Sequence, residues 1–133
     1  MQEAAFFRGT LDETMDLLVE ARNYMRHCER RERKRLGNMG GLRLNCEAMR
    51  VTSRLTQVMA WLMVQKAVYA GELTPEQALA EERRLTYGDV CMDRSAEEDT
   101  SLPSGFRSLM DRSWQLFARV ERLEQLIMRR IRL

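Results

Sequence analysis

The chain has 133 residues, 44% hydrophobic and 32% charged, a soluble globular balance long enough for one domain, 1–133, with a real core. A formal net charge of +2 is too small to declare a nucleic-acid or membrane partner, and Arg54, Gln57, Gln65 and Lys66 interrupt the best apolar run before it could span a bilayer. The opening MQEAAFFRGT lacks the basic-then-apolar pattern of a secretory leader, and the cysteines at 28, 46 and 91 have no metal-type spacing, so the expectation is a cytoplasmic protein with reduced thiols.

In chain order, Phe6 and Phe7 precede Thr10-Leu11-Asp12-Glu13, which has the spacing of a capping box. A helix is predicted from there, with Leu11, Met15, Leu18, Ala21, Met25 and Cys28 on one face. Acidic residues fill its first turns and the basic run Arg30 to Arg35 its end, in accord with the helix dipole. Gly37, Asn38, Gly40 and Gly41 predict a break and a short turn, and a short turn favours antiparallel neighbours. Leu44 to Ala70 then holds no Gly or Pro and predicts a spine helix of roughly 40 Å. Ala48, Val51, Leu55, Val58 and Leu62 form one apolar stripe, and Met49, Met59, Met63, Ala67 and Ala70 a second, so neighbours are expected on two sides.

Gly71 stands where a C-terminal cap belongs, and Thr74-Pro75-Glu76-Gln77 starts a short accessory helix reaching Leu85. Tyr87 to Ser101 loses all periodicity and predicts a long acidic loop. Leu102-Pro103-Ser104 opens a last helix, whose apolar positions from Phe106 to Ile131 step by three or four and become nearly heptad after Ser113. The predicted fold class is all-α: an antiparallel three-helix bundle with one short accessory helix and a long acidic loop.

No residue set stands out as catalytic, metal-binding or cofactor-binding. His27 adjoins Cys28, so the two point to different helix faces, and Gly37 to Gly41 lack the lysine of a phosphate loop. A cysteine enzyme built on Cys46 or Cys91 has no base nearby in sequence. The methionines read as core filling or as an adaptable groove around Met49, Met59 and Met63. Trp61 shares a face with Arg50, Arg54, Gln57 and Gln65, the composition of an interface hot spot, and these five are the candidate partner-binding residues. The acidic loop at Glu97, Glu98 and Asp99 is a second candidate contact. Val120, Leu123 and Ile127 suit either intramolecular core or a homodimer seam. The charge is segregated: Arg26 to Arg35 holds six basic and two acidic residues, and Glu72 to Asp99 nine acidic and three basic. The alternative function is nucleic-acid binding through the run at 26–35, namely Arg30, Arg31, Arg33, Lys34 and Arg35, with a steep salt dependence.

The segment MRVTSRLTQVMAWLMVQKAVYAGELTPEQA, Met49 to Ala78, resembles the signature of the RcdA family, the regulators of CtrA degradation. FFRGTLDETMDLLVEARNYM near the start and LPSGFRSLMDRSWQLFARVERLEQ near the end are similar too, so the likeness covers most of the chain. It implies an all-helical three-helix bundle without enzymatic activity, serving as an adaptor for the protease ClpXP in bacterial cell-cycle control. The implied partners are the protease primed by a receiver-domain protein, a CtrA-like substrate, a further effector-binding adaptor and a second copy of the chain. A cytoplasmic protein concentrated at a cell pole is expected, and members of that family tend to carry a polar C-terminal tail.

Overall fold

The computed structural model describes residues 2–27, 29–85, 88–95 and 100–132. Helices α1 (Gln2–His27), α2 (Glu29–Tyr69) and α5 (Ser104–Arg132) form the bundle. Between the last two lie α3 (Pro75–Ala78), a 3-10 turn (Glu81–Arg83) and α4 (Gly88–Met92). Among the described residues every regular element is helical.

The relative direction of the helices differs from the sequence expectation. Helix α1 is antiparallel to α2, because the Phe7 ring near its start lies 5.7 Å from Trp61 and 5.5 Å from Tyr69 near the end of α2. It is also antiparallel to α5: Tyr24 stacks 5.5 Å from Phe106, and Glu13 pairs with Arg119. Helices α2 and α5, however, run parallel. Arg54 reaches Met110, while farther along both helices Gln65 and Val68 share a hollow with Leu123 and Ile127. A short turn would forbid this. The connection through residues 70–103 is long enough to carry the chain back along the spine, as a parallel pair requires.

Side-chain periodicity explains the core. Leu44, Val51, Leu55, Val58 and Leu62 of α2 meet Phe106, Leu109, Met110, Leu116, Phe117 and Val120 of α5, all buried. Each such side chain contributes about 1.5–3 kcal/mol on leaving water. Leu11, Leu18, Ala21 and Met25 of α1 pack against this centre and stay partly exposed. Val120 is fully buried within the chain, and Leu123 and Ile127 pack against the same core, as the intramolecular reading of that seam requires.

Helix ends depart from expectation in instructive ways. Thr10 lies inside α1 and not at its start, and its carbonyl accepts from the Thr14 hydroxyl at 2.7 Å. Of the glycines expected to break the chain, only Gly37 does so, at φ 76° and ψ −172°, while Gly40 and Gly41 continue the helix. The basic run therefore opens α2 instead of closing α1. At Gly71 the expected cap is present as a Schellman turn, with Gly71 N–H donating to Val68 O and Glu72 N–H to Ala67 O. Thr74 and Gln77 form the expected capping box, although α3 ends at Ala78 and a 3-10 turn takes over before Leu85.

The glycines give a paired prediction. Gly9 sits in mid-helix with open space where a Cβ would stand, so Gly9→Ala should raise stability by about 0.5–1 kcal/mol. Gly37 also has open space, but its positive φ penalises any Cβ, and Gly37→Ala should lower stability by about 1–2 kcal/mol. Urea denaturation midpoints of the two variants would move in opposite directions.

Candidate functional site

The five residues expected to present an exposed face are buried or half-buried. Arg54 is 1% exposed, Trp61 3% and Gln65 8%; Arg50 and Gln57 are half-buried. The expected solvent-facing surface at Arg50, Arg54, Gln57, Trp61 and Gln65 is therefore corrected. The return segment meets Arg54 and Arg50, whereas Trp61 packs against Phe7 of α1 and reaches Glu124 of α5.

Arg54 is the main anchor. Its Nε donates to Cys91 O at 2.7 Å and its Nη2 to Asp93 O at 2.7 Å. Its Nη1 donates to Met110 O at 3.0 Å and Ser113 Oγ at 3.2 Å. One guanidinium thus ties the spine, the crossover and α5 together, a fork that only arginine offers. Trp114 adds a bond from its indole N–H to Met92 O at 2.9 Å, with the Arg94 guanidinium stacked 4.0 Å above its ring. Arg50 pairs with Glu47 and approaches Asp93 at 3.5 Å. Where an acidic loop was expected, residues 88–92 are helical and Cys91 is fully buried. Burial pushes the Cys91 thiol up, with Arg54 opposing, so it packs as a neutral group. Glu97, Glu98 and Asp99 lie outside the described residues.

A second anchor holds the earlier part of the crossover. Glu124 is buried, accepts from Leu85 N–H at 3.0 Å and also receives the Trp61 indole N–H. Burial raises its carboxyl above the ordinary 4.5, against the bonds from Leu85 and Trp61 and the charge of Arg84. On unfolding the group returns to its ordinary value, so the folded chain holds this proton more tightly. Its contribution to stability is full below 4.5 and is lost as pH rises through the raised value. Melting temperatures measured from pH 4.5 upward should therefore fall faster for the native chain than for Glu124→Gln.

Two exposed ends remain, separated by roughly 45 Å of spine helix. At one, Phe7, Tyr69, Leu126 and Ile127 line a hollow of about 500 Å³, with Tyr69 and Leu126 well exposed. At the other, Arg30, Arg31, Lys34, Arg35 and Arg43 are exposed beside Met39 and Leu42. Of the three methionines considered as a groove, Met49 and Met63 are exposed and Met59 is half-buried. Among the described residues no three His, Cys, Asp or Glu side chains come together as a metal site. No helix among them is long and apolar enough to cross a membrane.

These features define an all-helical bundle organised on one long central helix, with a clamped crossover and two chemically different ends. Residues 1–132 match the family described as Protein of unknown function (DUF1465). The crystal structure of RcdA from Caulobacter crescentus CB15 is similar to this chain at 36% sequence identity, covering 91% of this chain and 89% of that one, with a TM-score of 0.71. The chain belongs to the RcdA family, as the segments from Met49 to Ala78 and on either side of it indicated. Comparison with curated proteins finds no match.

Proposed function

We propose that this chain is a non-enzymatic adaptor in regulated proteolysis, a single domain that delivers a CtrA-like transcription regulator to ClpXP. The observation that carries the reading is the likeness to RcdA, which extends over nine-tenths of the chain. The partners are the protease primed by a receiver-domain protein, the substrate, and a further effector-binding adaptor. The chain works as a homodimer in the cytoplasm, concentrated at a cell pole. Its mechanism is a concentration effect: holding substrate and unfoldase together turns the second encounter into an intramolecular one. A rigid spine with separate docking ends suits that task, because partners at opposite ends do not collide.

Immobilised, primed protease tests the reading. A CtrA-like regulator should be retained more strongly when this chain is present than when it is absent. Equal retention with and without the chain would remove the bridging role.

A further inference from the structure

The basic end has a composition with a local cost. Arg30 and Lys34 are like charges four residues apart in the helical segment before Gly37, a spacing that destabilises a helix by some tenths of a kcal/mol. An anionic neighbour relieves that repulsion and complements the exposed Arg30, Arg31 and Lys34. Two further side chains on this end are apolar and exposed: Met39 at 79% and Leu42 at 57%. Leu42 lines two hollows of about 550 and 530 Å³. Arg30 and Lys34 border the first, and Arg43 and Met39 the second.

From this we infer that the basic end, Arg30 to Arg43, docks an acidic segment of a partner protein that carries apolar anchors. Carboxylates meet Arg30, Arg31 and Lys34. Apolar side chains of the partner enter the hollows beside Leu42 and Met39, where a flexible thioether adapts to their shape. The charges accelerate encounter and the apolar contacts slow release. Nucleic acid fits the same end less well. A phosphate backbone buries nothing against Met39 and Leu42, and no Phe, Tyr or Trp lies between residues 26 and 45 to stack a base. The inference rests on the adaptor reading for the partner's biological role, and the binding itself stands apart from it.

The probe is a fluorescein-labelled peptide of Glu, Asp and Leu, titrated against the full chain by fluorescence anisotropy. Controls are the same peptide with every Leu replaced by Ser, the same peptide with Gln and Asn for Glu and Asp, and a DNA duplex of arbitrary sequence. Either peptide change should weaken binding about tenfold or more, as should Arg31→Glu with Lys34→Glu, or Met39→Ser with Leu42→Ser. Salt should weaken binding of the acidic peptide. All four substituted positions are exposed, and the changes to the peptide test the same contacts with the native chain. Absence of binding, or binding indifferent to both double substitutions, overturns the inference. So does tighter binding of the duplex that Met39→Ser with Leu42→Ser leaves unchanged, which would make this end a phosphate-binding surface. Bridging to the protease is read separately, so loss of one result leaves the other standing.

Discussion

Replacing Arg54 by Met is expected to lower stability by about 3 kcal/mol or more, although the two side chains fill similar space. The loss comes from the acceptors left behind. Cys91 O, Asp93 O, Met110 O and Ser113 Oγ all take hydrogen bonds from this one guanidinium. An acceptor stranded in a buried site costs about 1–3 kcal/mol, and only those that water can reach recover it. Urea unfolding followed by circular dichroism gives the stability. A local readout separates clamp loss from general loosening: Trp114 is bonded to the same crossover through Met92 O, so its fluorescence should shift before global unfolding. Trypsin should also cut early at Arg94. Arg54→Lys should recover only part of the stability, since an ammonium cannot address the spine, the crossover and α5 in the fixed geometry of a guanidinium.

Trp61→Ala should cost about 3–5 kcal/mol, the range for emptying a large aromatic site in a core. Trp61 is 3% exposed, packs at 53° to the Phe7 ring and supplies a donor to Glu124. The alanine variant loses the packing and leaves the buried Glu124 carboxylate with one partner fewer. Trp61→Phe keeps most of the volume and loses the donor, so it should cost only about 1–2 kcal/mol. Denaturant midpoints of the two variants separate these contributions. Both predictions bear on how docking is probed: changes at Arg54 or Trp61 act first through the fold. Exposed positions such as Arg31, Lys34 or Leu126 report on partners more cleanly.

The helices were legible because their apolar residues repeat at helical spacing, and the Gly71 and Thr74 caps because each is a local motif of a few residues. The parallel course of α2 and α5 was not legible, since it depends on how far a long connection travels and not on any window of sequence. The break was legible at Gly37, where the backbone needs a positive φ, but Gly40 and Gly41 carry the same letter with helical neighbours. The exposure of the candidate site departs from expectation for a related reason. Polar residues on one helix face suggest solvent, yet a distant segment can cover them when its backbone carbonyls supply the partners. One signal was available: Val51, Arg54, Val58, Trp61 and Gln65 alternate steps of three and four, the spacing of a buried seam.

The measurement that tests the adaptor reading most directly is a reconstituted degradation assay. Loss of a CtrA-like regulator would be followed with ClpXP and its priming receiver-domain protein, with and without this chain. The account predicts faster loss when the chain is present and an unchanged rate when the substrate is a protein ClpXP degrades unaided. The same rate of regulator loss at every concentration of the chain would contradict it.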